Sequence, residues 1–134
     1  MRPGVDFPGV GVGLAIVRDG KLLLYKRKKP PEIDFWNIVG GKVDVMEPSI
    51  DAARREAEEE SGLTINSLTF VGVTEQIVEA DQQHWVSLLY VCHDFSGEAR
   101  LTEPDKLSDF GWFDLKDLPE PLSVFTKTIL PFLD

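Results

Sequence analysis

GGKVDVMEPSIDAARREAEEESGL, residues 40–63, is the stretch of this chain that says most about its fold. A glycine pair and a short acidic loop come first, and a helix with clear end signals follows. Pro48 suits the first helical position, where its missing N–H removes no hydrogen bond. Gly62 suits the left-handed position just past a helix, and Leu63 can then pack back on Ala57. We therefore predict one helix between Pro48 and Gly62.

The C-terminal end of this helix is acidic, although the partial negative charge there favours cations. Such conflicts with local rules are typical of functional sites. At about 100° per residue, Glu56, Glu59 and Glu60 lie within an arc of roughly 100°, whereas Glu58 points elsewhere. Clustered carboxylates without His or Cys suit Mg²⁺ or Mn²⁺ better than Zn²⁺. The alternative interpretation is a solvated acidic helix face.

Strand patterns on both sides of the helix predict an α/β or α+β sandwich. Ile50, Ala53 and Ala57 form the apolar stripe that would face a sheet. A second amphipathic helix is expected near the C-terminus and is perturbed at Pro131. The predicted strands cover residues 10–17, 21–27, 68–78, 84–92 and 110–113. A hairpin turn at Asp19-Gly20 joins the first two strands. The apolar residues of the last helix are Leu122, Phe125, Ile129 and Leu133.

Two features of the N-terminal half permit more than one interpretation. The strand at residues 10–17 has a nearly bare face with Gly11 and Gly13, where either a helix or a substrate can approach closely. A basic run at residues 26–29 is either a solvated strand end or a steering charge for a polyphosphate. The sequence alone leaves both choices open.

The glycine loop and helix together resemble a complete Nudix box. The fixed positions are Gly41, Glu47 after five residues and, after seven more, Arg55-Glu56-Ala57-x-Glu59-Glu60-x-Gly62-Leu63. The preceding W-N-x-x-G-G-K and the later order E-P-D-K, W-F and L-P are similar to small, MutT-like Nudix enzymes that act on nucleoside triphosphates. This resemblance extends over most of residues 1–134. It implies a single domain with the Nudix α/β/α sandwich around a mixed, curved sheet.

The resemblance also implies roles for individual residues. Glu59 and Glu60 match the main metal ligands, Glu56 matches a ligand or base, and the Gly40 carbonyl matches a backbone ligand. Nudix enzymes often recruit one more carboxylate from a distant loop, for which Glu103 is the candidate, with Asp105 behind it. The alternative is that Glu103 is an ordinary charged residue of a loop, with no role in metal binding.

Arg55 and Glu47 resemble the pair that braces the loop against the helix and supports catalysis. Lys42 can contact phosphate or cap the loop, and the sequence does not separate these roles. Trp36 is more often a core residue than a ligand, but in this family its segment borders the substrate pocket. The candidate substrate-binding residues are therefore Gly41, Lys42, Phe35 and Trp36.

Bulk composition narrows the class of protein. The 134 residues suffice for one domain with a core. The net charge of −9 argues against non-specific binding to nucleic acid or anionic membrane. Cys92 is the only cysteine and no signal peptide is evident, which favours the cytoplasm. The sequence leaves open whether the chain is a monomer or a homodimer.

These observations predict a Mg²⁺-dependent pyrophosphohydrolase, with Mn²⁺ as a second possible cofactor. The substrate would be a small nucleotide, first of all a (d)NTP cleaved to (d)NMP and pyrophosphate. One alternative is an ADP-ribose or nucleotide-sugar pyrophosphatase. An alternative of another class is a catalytically silent Nudix module that binds a nucleotide, although all box glutamates are present.

Overall fold

A computed structural model describes residues 1–133 of the chain. The strands are β1 (Gly9–Arg18), β2 (Lys21–Arg27), β3 (Trp36–Asn37), β4 (Val39–Lys42), β5 (Thr64–Val78), β6 (Gln83–Ser96) and β7 (Leu107–Asp114). The helices are α1 (Ser49–Ser61) and α2 (Val124–Ile129), with 3₁₀ turns at Glu79–Asp81 and Leu130–Phe132. Neither α1 nor α2 is long and apolar enough to cross a membrane.

The seven strands form one mixed sheet around β1. The strand order is β3-β2-β1-β6-β5, with β4 pairing with β1 and β7 pairing with β2. β1 runs parallel to β6, and the other pairs are antiparallel. The N-terminal half of β1 pairs with β4, and its last two residues pair with β2. This mixed sheet with two helices confirms the predicted fold class.

Alternation along β1 separates the two layers of the core. Val12, Leu14 and Ile16 belong to the cluster that includes the buried alanines of α1. Ala15 and Val17 belong to the second cluster, which packs against α2. Because successive side chains of a strand point to opposite faces, β1 supplies both cores.

The end signals of α1 behave as predicted, with a shift of one residue at its start. Pro48 occupies the position before the helix and has extended backbone angles. Gly62 has φ 75° and its N–H donates to the Glu58 carbonyl, the left-handed C-terminal cap. The Asp19-Gly20 turn is also confirmed, since φ is positive at both residues, 53° and 74°.

The predicted apolar stripe of α1 was wrong at its first member. Ile50 is 41% exposed, whereas Ala52, Ala53 and Ala57 are fully buried. Ile50 lies in the first turn of the helix. Val10 is likewise 49% exposed at the open end of β1.

Several predicted strands and helices differ in length from those in the structure. β5 begins at Thr64 and β6 ends at Ser96, because these two residues still pair across the antiparallel ladder. The last helix is shorter than predicted. α2 ends at Ile129 and a 3₁₀ turn follows through Pro131, which cannot donate a backbone hydrogen bond.

Candidate active site

The last turns of α1 lie against the glycine pair of β4. The Gly40 N–H donates to Glu60 Oε1 at 2.8 Å. Burial raises the pKa of Glu60 to about 8, and the charges of Glu56 and Glu103 act in the same direction. In the absence of a cation, this carboxyl group therefore tends to hold its proton at neutral pH.

Glu56 lies directly against Gly41. A Cβ at position 41 would collide with the Glu56 carboxylate, so only glycine fits here without displacing that side chain. Burial raises the pKa of Glu56, while a hydrogen bond from Arg55 Nη1 to Glu56 Oε1 at 2.6 Å opposes the shift. The tight packing places a carboxylate immediately behind β4.

Arg55 joins the acidic loop to the helix. Its Nε and Nη2 donate to the two carboxylate oxygens of Glu47 at 2.8 and 2.9 Å, a bidentate pair. Nη2 also donates to the Lys42 carbonyl at 3.2 Å. The Arg55 hydrogen bonds hold the pKa of Glu47 at about 2 and raise that of Arg55. Arg55 thus links three parts of the box: β4, the acidic loop and Glu56.

Glu59 and Glu58 point in different directions, as the helical spacing predicted. The Glu59 side chain is 52% exposed and lies 3.6 Å from Arg55 Nη1. Glu58 Oε2 accepts a hydrogen bond from the Ile65 N–H at 2.9 Å, at the start of β5. Glu59 therefore shares the β4 side of α1 with Glu56 and Glu60.

The loop before β7 approaches the same end of α1. Thr102 Oγ1 donates to the last backbone carbonyls of the helix, which anchors the loop there. The Glu103 charge raises the pKa of both Glu56 and Glu60, so it lies within their electrostatic reach. Asp105 is exposed and follows farther along the loop.

The donor set fits a hard divalent cation. Within residues 1–133, the charges of Glu59 and Glu103 act on Glu56, and those of Glu56 and Glu103 act on Glu60, so these four carboxylates lie near this end of α1. Oxygen ligands are those that Mg²⁺ and Mn²⁺ prefer. Within residues 1–133, no three acidic, His or Cys side chains already converge as a metal cage. Burial raises the pKa of both Glu60 and Glu56, and a bound cation would favour their charged forms.

A cavity of about 330 Å³ lies beside β4. Its lining includes Gly11 on the bare face of β1, and Gly40, Gly41 and Lys42 of β4. Because Gly40 and Gly41 also contact Glu60 and Glu56, the cavity and these two carboxylates share the glycine pair of β4. The remaining lining residues are Arg27, Pro30, Pro31, Glu32, Asn37, Gln76, Gln83, Trp85, Ser87 and Phe125.

Comparison with known families assigns this architecture. A model of the NUDIX domain matches residues 7–133, nearly the whole chain. The chain belongs to the Nudix family. Its expected membership among the Nudix hydrolases is thereby confirmed, and the predicted Nudix box at residues 41–63 lies within the matched range.

Two curated Nudix relatives have different names. The ADP-ribose pyrophosphatase of Methanocaldococcus jannaschii is 32% identical over 113 residues, 84% of this chain and 66% of that protein. The oxidized purine nucleoside triphosphate hydrolase of Danio rerio is 32% identical over 104 residues, 78% of this chain and 65% of that protein. The chain thus spans about two thirds of the length of each relative.

Solved structures support the same fold. A MutT NUDIX hydrolase from Burkholderia pseudomallei has a TM-score of 0.90 at 48% identity, covering 94% of this chain and 98% of that one. The NUDIX domain of Shewanella oneidensis NrtR, solved with ADP ribose, has a TM-score of 0.76 at 17% identity and covers 98% and 86% of the two chains. The second likeness concerns the fold alone.

The structure divides the predicted substrate-binding residues of the Nudix domain into two groups. Gly41 and Lys42 line the cavity. Phe35 and Trp36 are not among its lining residues. Trp36 is 9% exposed and packs edge-on against Phe113, with ring centroids 4.9 Å apart, so it is a core residue.

Sequence reasoning missed most of the polar lining of the cavity. Asn37, next to the tryptophan that was singled out, is the residue that faces the cavity. Gln76 and Ser87 are 6% and 0% exposed, and they meet there from β5 and β6. The sequence marks these lining residues only as polar residues within apolar strand patterns, and that alone does not identify a cavity. Arg27 belonged to the basic run and also lines the cavity.

Proposed function

We propose that this Nudix domain is a Mg²⁺-dependent pyrophosphohydrolase that cleaves a nucleoside triphosphate to the monophosphate and pyrophosphate. The observation that carries the proposal is the glycine pair of β4, which touches the carboxylates of α1 and also lines the cavity. Gly41 contacts the Glu56 carboxylate and also lines the cavity. A nucleotide whose base and sugar occupy the cavity would extend its phosphates past the glycine pair to the carboxylates.

The carboxylates of Glu56, Glu59, Glu60 and Glu103, with the Gly40 carbonyl, would hold the metal. When a divalent cation is bound there, it neutralises the negative charge of the phosphate oxygens and lowers the pKa of a coordinated water. The protein's own contribution is position and proton transfer. Arg55 fixes the Glu56 carboxylate, which is the candidate to accept the proton of the attacking water.

The cavity suits the remainder of a nucleotide. Its volume is at the lower end of the range for small-molecule sites, which favours one nucleoside over a larger moiety. Trp85, Phe125 and Pro31 offer apolar surface, and Lys42 and Arg27 offer positive charge towards phosphate. The name of the Danio rerio relative, an oxidized purine nucleoside triphosphate hydrolase, is consistent with a triphosphate substrate.

ADP-ribose hydrolysis is the second candidate function. The observation that favours it is the 32% identity to the M. jannaschii ADP-ribose pyrophosphatase. The products separate the two activities, since ADP-ribose yields AMP and ribose 5-phosphate, whereas a triphosphate yields pyrophosphate. A catalytically silent nucleotide-binding module would yield neither.

The test is product analysis on a panel of nucleoside triphosphates, ADP-ribose and sugar nucleotides with Mg²⁺. Glu59→Gln is expected to lower turnover at least 100-fold by removing one ligand charge while preserving shape. Glu58→Gln is the matched control, because this neighbour points to β5 and glutamine still offers an oxygen to the Ile65 N–H. Pyrophosphate release that is lost only in Glu59→Gln supports the proposal. Turnover of ADP-ribose alone, or of no compound, would overturn it.

A further inference from the structure

Three carboxamide side chains, those of Asn37, Gln76 and Gln83, line the cavity from three different strands. Asn37 and Gln76 are 9% and 6% exposed. A carboxamide offers one acceptor and two donor hydrogens, so its orientation decides what a ligand meets. The partner of each amide oxygen therefore determines the chemistry of the cavity wall.

The oxygens of the two glutamines are already occupied. Gln83 Oε1 accepts a hydrogen bond from Trp85 Nε1 at 2.9 Å. Since an indole N–H can only donate, this contact requires the oxygen and fixes the amide. Gln76 Oε1 accepts from Ser87 Oγ at 3.2 Å. Both contacts turn the amide nitrogens away from these partners.

Asn37 is oriented by a directed chain of hydrogen bonds from the N-terminus of α2. The Ile38 N–H donates to Thr126 Oγ1 at 3.1 Å, and Thr126 Oγ1 lies 2.9 Å from Ser123 Oγ, to which it donates because Ser123 uses its single hydrogen on Asn37. Ser123 Oγ then donates to Asn37 Oδ1 at 2.6 Å. Within residues 1–133, no buried side-chain nitrogen or oxygen lacks a partner. The amide nitrogens of Asn37 and Gln76 are therefore not sealed from solvent, and both residues line the cavity.

We infer that Asn37, Gln76 and Gln83 are specificity-determining residues that present N–H donors and select a 6-oxopurine over a 6-aminopurine and a 4-oxopyrimidine over a 4-aminopyrimidine. Ser123 and Ser87 are positioning residues that hold two of these amides in the donor orientation. The inference rests on the proposed function, since it assigns the base subsite of that reaction.

The other charged lining residues do not reverse this selection. Arg27 donates its Nε to the Pro31 carbonyl at 2.6 Å and adds only further donors. Glu32 is the one acidic side chain of the lining within residues 1–133, and both its oxygens face the Val124 N–H at 3.3–3.4 Å. An amino group on the base would meet amide donors and leave them unpaired, which is the costly case for a buried polar group.

The experiment compares bases that carry an oxo group in place of an amino group, with the neighbouring ring nitrogen changing from an acceptor to an N–H: ITP against ATP, and UTP against CTP. In whichever pair has the higher kcat/KM, the kcat/KM of the oxo compound, ITP or UTP, is expected to exceed that of the amino compound roughly tenfold or more. Gln76→Glu replaces the donor by an acceptor of the same shape and is expected to reduce this preference to below about threefold. Gln82→Glu adds the same charge at an exposed neighbour and is expected to leave the preference unchanged.

Equilibrium binding keeps this test separate from the test of hydrolysis. IMP, AMP, UMP and CMP are titrated against wild type, Gln76→Glu and Ser87→Ala, and thermal unfolding confirms that each variant is folded. A preference for IMP or UMP that falls in both variants supports the inference even if no triphosphate is hydrolysed. Equal binding of oxo and amino bases, an unchanged preference in Gln76→Glu, or no binding of any nucleotide would overturn it.

Discussion

The two glycines of β4 are expected to respond differently to the same substitution. In Gly40→Ala, the new Cβ would meet the Val12 carbonyl oxygen of β1 far inside contact distance. This neighbour is backbone, so β1 and β4 would have to separate by nearly 1 Å where Gly13 pairs with Gly40. Overpacking and weakened ladder hydrogen bonds together cost about 2–4 kcal/mol. For a chain of this size, that lowers Tm by roughly 10 °C.

In Gly41→Ala, the new Cβ meets the end of the Glu56 side chain instead. The carboxylate can move, but by more than 1 Å, which also breaks its 2.6 Å contact with Arg55. We expect a loss of stability below about 1 kcal/mol and a fall in kcat/KM of about 100-fold, because misplacement on this scale has that cost.

Thermal unfolding and steady-state kinetics on both variants separate the two effects. Gly20→Ala is the control, since nothing lies within 4 Å of a Cβ there, although its φ of 74° makes some strain unavoidable. The reasoning is refuted if Gly41→Ala loses as much Tm as Gly40→Ala, or if Gly40→Ala unfolds at the wild-type temperature.

Three further predictions concern single side chains. Arg55→Lys removes the planar, bidentate contact with Glu47, and we expect at least a tenfold loss of kcat with a change in Tm of a few degrees at most, measured by kinetics and thermal unfolding. The pKa of Glu60 is raised from an ordinary 4.5 to about 8 in the folded protein, so the folded state binds more protons than the unfolded state between these pH values. The metal-free protein should therefore lose stability as pH rises from 5 to 8, by at most about 1.4 kcal/mol per pH unit. Denaturant titrations in EDTA should show this slope in the wild type and a smaller one in Glu60→Gln; equal slopes would contradict it. Cys92 is fully buried and its pKa is raised by burial, so a thiol reagent should label it only after unfolding, and rapid labelling of the native chain would contradict the structure.

The sequence predicted the features that depend on local backbone rules. Gly62 and the Asp19-Gly20 turn adopt positive φ because glycine and aspartate tolerate it, and this tolerance can be read from neighbouring residues alone. The direction of Glu58 followed from helical periodicity. Each of these inferences needs information from fewer than about ten residues, and each agrees with the structure.

The cavity could not be predicted in the same way. Trp36 and Asn37 are adjacent, and strand alternation says only that they face opposite sides. Which of them meets the cavity depends on α2, whose Ser123 lies 86 residues away and binds Asn37. Gln76 and Ser87 likewise meet through the register of β5 with β6, which three irregularities shift. Long-range register, rather than composition, decides the lining.

The acidic end of α1 is stabilised by parts of the chain outside the helix. Glu58 is held by the Ile65 N–H at the start of β5, Glu60 by the Gly40 N–H, and Glu56 by Arg55, each at 2.6–2.9 Å. These contacts offset the repulsion that the helix dipole and neighbouring carboxylates impose. Glu59 has only a 3.6 Å approach to Arg55 and remains half-exposed. The fold therefore orients the other three carboxylates, and Glu59 is the one that stays free to turn towards a ligand.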